Sequence, residues 1–387
     1  MEKVRFGIIG IGNMGTGHIH NFNSGRIREA VITALCDIDP ARLEAGLKLA
    51  GEGVQGFDKA EDLIHSGLVD AILIATPHYF HPVYAIEGFA AGLNVLSEKP
   101  AGVYTKQVRQ MNEAAARSGK VFGLMFNQRT NPLYQKVKDL ISSGELGELR
   151  RVNWIITDWF RTQSYYDSGS WRATWAGEGG GVLLNQDPHQ LDLLQWLCGM
   201  PSKVRAFCAY GKYHDIEVED DVTAYLEYPN GATGVFVTTT GDAPGTNRLE
   251  ITGDLGKVVI ENDRLQYIRN REKVSDFLKS AKGGFDRPEA WNVDIPIYGE
   301  APHHVGIVND FASAVLHGTP LLAPGEEGIN GLTISNAIHL SSWLDKTVEL
   351  PLDEDLFYSL LKERIKTSRY KEKPAAAGGV ADLSGTY

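Results

Sequence analysis

A chain of 387 residues is more than one hydrophobic core usually organises and suits two domains. Apolar residues at 43% and charged residues at 22% place it among soluble globular proteins and exclude disordered and fibrous classes. The formal net charge of -11 disfavours nucleic acid or an anionic membrane as main partner, since those contacts need clustered Lys and Arg, and favours a small uncharged ligand.

Apolar runs at Val4–Ile9, Ala30–Cys36, Asp70–Ala75, Asn94–Ser97 and Lys120–Phe126 alternate with helix-like segments. That alternation predicts an α/β domain over residues 1–126, a parallel sheet covered by crossover helices. After Arg151 the texture changes to period-two runs separated by turn residues, as in Val222–Glu227, Ala232–Thr238 and Lys257–Ile260. Residues 127–370 therefore read as an α+β domain on an antiparallel sheet, with helical patterns returning at Val305–Leu316 and Gly331–Leu344. Residues 371–387, rich in Ala, Gly and Lys, read as a disordered tail. The three cysteines, Cys36, Cys198 and Cys208, are far apart and odd in number, so neither a disulfide framework nor a metal site is expected. No apolar signal precedes Val4 and no run is long enough to span a bilayer; the expectation is a cytoplasmic protein without membrane contact.

The first strand runs into Gly10-Ile11-Gly12-Asn13-Met14-Gly15, a complete G-x-G-x-x-G at a strand-to-helix turn. Glycine permits the turn at Gly10, lets backbone approach a pyrophosphate at Gly12, and allows close helix–strand packing at Gly15. The N–H groups of the helix opening at Asn13 and Met14 then face the phosphates. Asp37, 22 residues after Gly15, stands where an acidic side chain accepts from ribose hydroxyls. Together these predict a Rossmann domain binding a dinucleotide. The Asp37 carboxylate repels a 2′-phosphate, which favours NAD over NADP, with Arg42 as the nearby cation that would reverse the choice.

Two further segments end at the carboxyl edge of this sheet, where ligands bind. Thr76, Pro77 and His78 are candidates for the nicotinamide pocket, while His81 reads as a turn and helix-cap residue. Glu98 and Lys99, followed by Pro100, fall beside the same pocket. Asn127, Gln128 and Arg129 follow the last strand of the domain, and Trp154, Trp159, Tyr165, Tyr166, Trp171 and Arg172 form an aromatic-rich run; they border a sugar pocket or pack the domain interface. His303 and His304 begin a helix, capping it or reaching the pocket. Asp187-Pro188-His189-Gln190 reads as an N-cap, a proline at N1 and a capping-box partner, which puts His189 in a first helical turn where the dipole keeps imidazole neutral.

The stretch from Glu178 through Gly179-Gly180-Gly181 to His189 and Leu194, with Gly10–Gly15, Thr76-Pro77 and Glu98-Lys99-Pro100, resembles the Gfo/Idh/MocA family of sugar and polyol dehydrogenases over nearly the whole chain, to about Leu350. The resemblance implies a large, open, predominantly antiparallel second-domain sheet whose face mediates a homodimer or homotetramer, and a cis Lys99–Pro100 bond. It implies catalytic roles for Lys99, His189 and the residue at 185, while Asp192, which recurs in the family, orients a neighbour or serves as a salt-bridge partner. The family usually carries Asp four residues before the His; this chain has Asn185, a neutral amide that can hold a substrate hydroxyl but cannot stabilise imidazolium as a carboxylate does. The implied activity is oxidation of a secondary alcohol on a cyclic sugar, sugar derivative or inositol, with Lys99, Asn127, Arg129, Trp171, Arg172, Asn185, His189 and His304 as the candidate substrate contacts. Two alternatives stand beside it: an NAD-dependent glycosidase acting by transient oxidation and elimination, and a non-catalytic NAD-sensing regulator.

Overall fold

The computed structural model describes residues 2–369, so the tail assignment for 371–387 lies outside the described residues. Strands β1 (Val4–Ile9), β2 (Ala30–Cys36), β3 (Gln55–Phe57), β4 (Ala71–Ile74), β5 (Asn94–Ser97) and β6 (Phe122–Leu124) form one parallel sheet in the order β3-β2-β1-β4-β5-β6. The order reverses direction beside β1 and β4, the switch point where a dinucleotide lies across such a sheet. β1 and β4 are almost wholly buried, because helices cover both faces and leave no polar side to alternate.

The second sheet has nine strands: β7 (Leu149–Ile156), β8 (Lys203–Tyr210), β9 (Glu219–Glu227), β10 (Thr233–Thr239), β11 (Asn247–Gly253), β12 (Gly256–Glu261), β13 (Arg264–Asn270), β14 (Ala290–Val293) and β15 (Val348–Glu349). Their order is β14-β13-β12-β11-β7-β10-β9-β8-β15, antiparallel except for the parallel pair β7 and β10. One face carries the core, with Trp154 and Phe236 in contact at 6.4 Å, so Trp154 belongs to the core rather than to a pocket. The other face leaves Ile155, Phe207 and Tyr225 exposed.

The division at residue 126 does not run cleanly to the end of the chain. The helix His303–His317 packs back on the first sheet, where Phe311 meets Phe6 at 5.7 Å and the Arg28 N–H donates to Asn309 Oδ1 at 3.0 Å. The Leu124 N–H donates to the Ala323 carbonyl, so the first domain is completed from far along the chain. Among the described residues no helix is long and apolar enough to cross a membrane.

Candidate active site

At the nucleotide edge, Gly10 has φ +94°, and a Cβ there would lie 2.7 Å from the Ala75 carbonyl oxygen, so the turn requires glycine. A Cβ on Gly15 would overlap the Gly10 carbonyl oxygen. Gly12 differs: a Cβ there would meet nothing within 4 Å, which is the opening a pyrophosphate needs in front of the helix Asn13–Asn23. Asp37 accepts from the Ile11 N–H at 2.6 Å through Oδ2 and from the Asp39 N–H at 2.8 Å through Oδ1. It thus ties the glycine turn to the end of β2 and keeps lone pairs for ribose hydroxyls. Arg42 lies 3.7 Å from Asp39 in an exposed pair. Thr76 Oγ1 and His189 Nδ1 are buried without hydrogen-bond partners, polar atoms whose partners a bound dinucleotide and its substrate would supply. The residues present fit the cofactor.

Glu98 is buried beneath this edge, held by His18 at 2.7 Å. Burial alone would raise its carboxyl, but the His18 contact and the nearby His304 and Lys99 charges bring it down to about 2. The Lys99–Pro100 bond is cis. Lys99 donates from Nζ to the Asn185 carbonyl at 2.8 Å. Its side chain keeps some accessibility, yet desolvation of the ammonium lowers its proton affinity, against the raising influence of Glu98 and Glu178.

His189 occupies the first turn of the helix Pro188–Cys198 and is buried. Burial first, then the positive fields of Lys99 and His304, push its imidazole well below the usual histidine range, so it is a neutral ring able to accept a proton. His304 falls to about 4, mainly by burial, and its ring meets His18 at 5.5 Å. Asn185, one turn before His189, donates its amide to Glu178 and accepts from the Tyr165 hydroxyl at 3.2 Å. Arg172 stacks on Tyr165 and Trp171, 4.7 Å from each ring centroid, and Trp171 meets His78 edge-on at 5.8 Å. His78 is itself buried, its Nδ1 3.2 Å from the Glu178 carbonyl, and burial pushes it well below the ordinary histidine value. Asn127 is buried at the end of β6 with its Oδ1 unpartnered.

Two sequence-based expectations are corrected. Arg129 does not face a pocket: it forks onto Asp192 at 2.8 and 2.7 Å and pairs with Glu327 at 2.7 Å, a buried structural tie that also accounts for Asp192. Asp187 precedes the helix but caps nothing, because the helical turn Val182–Asn185 runs straight into it and leaves it at φ -85° and ψ 0° rather than extended. Its oxygens are buried and unpartnered; Trp159 and Thr238 face them without closing a hydrogen bond, and burial pushes the carboxyl well above the usual range. His81 closes the 3-10 turn His78–Phe80 through its backbone N–H to the His78 carbonyl, as a turn and cap residue should, and its two ring nitrogens also lie 2.7 Å from the Pro100 and Thr76 carbonyls.

His18, Glu178 and Glu219 carried no sequence signal for these roles. Glu219 Oε1 accepts from the Gly181 and Leu183 N–H groups at 2.8 and 3.1 Å, serving from a distant strand as the cap of the helix that carries Asn185. For His18 and Glu219 the contacts span 36 to 80 residues and have no local pattern to read.

The glycine turn lies at the switch point of the parallel sheet, and Lys99 follows the carboxyl end of β5 at the same edge, the arrangement of a dinucleotide-binding fold. Residues 4–126 match the model of the oxidoreductase family with an NAD-binding Rossmann fold, and residues 134–259 match the Gfo/Idh/MocA C-terminal domain. The chain belongs to the Gfo/Idh/MocA family of NAD-binding oxidoreductases. It is 32% identical to the rhizopine catabolism protein MocA of Rhizobium meliloti over 51% of this chain and 58% of that one, so the match spans little more than half of that relative. It is 26% identical to an inositol 2-dehydrogenase of Rhizobium meliloti over 86% of this chain and 95% of that one. The structure of the WlbA dehydrogenase from Bordetella pertussis in complex with NADH and UDP-GlcNAcA superposes with a TM-score of 0.75 at 29% identity, covering 91% of this chain and 100% of that one.

Proposed function

We propose that this protein is an NAD(H)-dependent dehydrogenase oxidising a secondary alcohol of a cyclic sugar, sugar derivative or inositol. The observation that carries the reading is the pairing of a desolvated Lys99 with a neutral, buried His189 at the carboxyl edge of the nucleotide sheet. Gly12, Asp37 and Thr76 hold the cofactor, which when bound supplies the hydride acceptor. His189 takes the hydroxyl proton, and Lys99 donates a hydrogen bond to the same oxygen as negative charge develops there. Trp171, Arg172, Asn185 and Asn127 border the sugar, aromatic faces meeting its C–H face and amides its hydroxyls. Asp37 selects NAD over NADP, and copies of the chain associate through the face exposing Ile155, Phe207 and Tyr225. The likeness to an inositol 2-dehydrogenase over most of both chains supports the substrate class.

A panel of inositols, aldoses, uronic acid derivatives and glycosides, read by NADH absorbance, tests the reading. Lys99→Ala and His189→Ala are each expected to lower turnover by about two or more orders of magnitude, the scale of acid–base catalysis, while NAD still binds. Near-normal turnover in either variant would overturn the assignment. Glycoside cleavage without net NADH points to the oxidation–elimination hydrolase instead, and NAD binding without turnover on any member of the panel to a regulator.

A further inference from the structure

Glu178 stands at the head of the triple-glycine stretch, with its carboxyl group fully enclosed. Oε1 accepts from the Asn185 amide, Oε2 accepts from the Ala173 N–H at 2.6 Å, and Arg172 Nη1 lies 4.0 Å away. The hydrogen bonds around it have a forced direction. Arg172 can only donate, and does so to the Tyr165 hydroxyl at 3.0 Å. That hydroxyl donates to Asn185 Oδ1 at 3.2 Å, so the Asn185 NH2 is turned toward Glu178 Oε1, which accepts from it; burial raises this carboxyl, and Arg172, the Ala173 N–H and the Asn185 amide oppose the rise. The same Asn185 offers its backbone carbonyl to Lys99 Nζ at 2.8 Å. One residue therefore bridges a buried carboxylate and the lysine of the site.

We infer that Glu178 is a positioning residue for the dehydrogenase chemistry, acting through Asn185 to fix the carbonyl that aims Lys99. The inference rests on the dehydrogenase reading above. Asn185 works as a spacer: its amide transmits the carboxylate's orientation while keeping that negative charge one side chain away from the reacting oxygen. The Glu178 charge also favours the protonated form of Lys99. Glu98 acts in the same sense from the neighbouring position, and Arg172 and Arg161 oppose both. His78, His189 and His304 are all lowered by burial and so contribute little charge near neutrality. Removing Glu178 leaves Glu98 alone against the two arginines, and the Asn185 carbonyl less firmly held.

The test uses the full chain and two variants, Glu178→Gln and the exchange Glu178→Gln/Asn185→Asp, which returns a carboxylate to the same hydrogen-bonded pair. Lysine ε-resonances, with Lys99→Arg as the assignment control, report the Lys99 titration without substrate; kcat and KM are measured on whichever polyol the panel identifies. Glu178→Gln is expected to release the Lys99 proton at a pH lower by about one unit, a tenfold change in affinity, and to lower kcat about tenfold with KM little altered. The exchange variant, which moves the charge one side chain closer to Lys99, is expected to recover the Lys99 titration, while kcat stays low because the spacer is lost. An unmoved Lys99 titration in folded Glu178→Gln overturns the inference, as does an exchange variant whose Lys99 titration stays where Glu178→Gln puts it. If Glu178→Gln fails to fold, the exchange variant decides alone: Lys99 titrating as in the unaltered protein supports the inference, and a shifted titration overturns it. Absence of turnover by the unaltered protein, with the Lys99 shift intact, would count against the dehydrogenase reading and leave the Glu178–Lys99 coupling standing.

Discussion

The chain turns twice on runs of glycine, at Gly10–Gly15 and at Gly179–Gly181, and the two turns use the residue for opposite reasons. In the first, the central glycine faces open space, room kept for a ligand's phosphates. In the second, every glycine is pressed against protein: Gly179 on Val103, Gly180 on Leu184, and Gly181 on the Glu219 carbonyl. The first turn is a cradle and the second a clamp, holding the helical turn that presents Asn185 and, beyond it, His189. The comparison teaches that a glycine-rich motif does not by itself mark a binding surface. What a side chain would have met decides between the two.

The largest effect that sharpens this contrast belongs to Gly181→Ala. Its Cβ would overlap a backbone carbonyl that cannot swing aside, so overpacking of about 3 kcal/mol is expected. The check is a thermal midpoint lower by several degrees; an unchanged midpoint would break the clamp description. Gly12→Ala should behave in the reverse way, since its φ of -79° suits any residue and the Cβ meets nothing. The melt is expected to stay the same while NAD affinity drops about tenfold, or ~1.4 kcal/mol by calorimetry.

A smaller change is expected from Asp37→Ser, which removes the carboxylate facing the ribose. The NAD to NADP preference, measured as a ratio of kcat/KM values, should move about tenfold toward NADP. Asp187→Asn should have the smallest effect, and one that depends on pH. Because burial raises this carboxyl in the folded protein, the folded state binds the proton more tightly than the unfolded chain does. Stability from this group is therefore full below the ordinary carboxylate range and is lost as pH rises above it. The Asn variant lacks that slope, so it should match the parent near pH 4 and melt higher by a few degrees at pH 8. A parallel pair of stability curves would show that the Asp187 carboxyl is not raised in the folded protein.

The nucleotide-binding half was legible because its determinants are local. The burial of β1 and β4 on both faces writes itself as unbroken apolar runs, Gly10–Gly15 is contiguous, and Asp37 follows at a fixed distance. The second half was legible at β9, β10 and β12; β7, β8 and β11 alternate in burial as well, but their place in the sheet depends on partners distant in sequence. The same holds within the site. Lys99 and His189 are identifiable from the motifs they sit in, whereas Arg129, a plausible sugar ligand by position, is turned inward by Asp192 and Glu327.

What the sequence by itself determined is the alternation of the first domain and its dinucleotide turn, set by patterns within strand–turn–helix units; Lys99 and His189 were candidates through the family resemblance. Tertiary structure alone decided what each buried carboxylate meets: Glu178 the Asn185 amide, Glu219 the N–H groups of Gly181 and Leu183, Asp192 the Arg129 guanidinium, and Asp187 no hydrogen bond. The physical reason is that an acidic side chain's behaviour follows from its desolvation and its partner, and the enclosure, with the partners of Glu219 and Asp192, comes from segments far away in the chain.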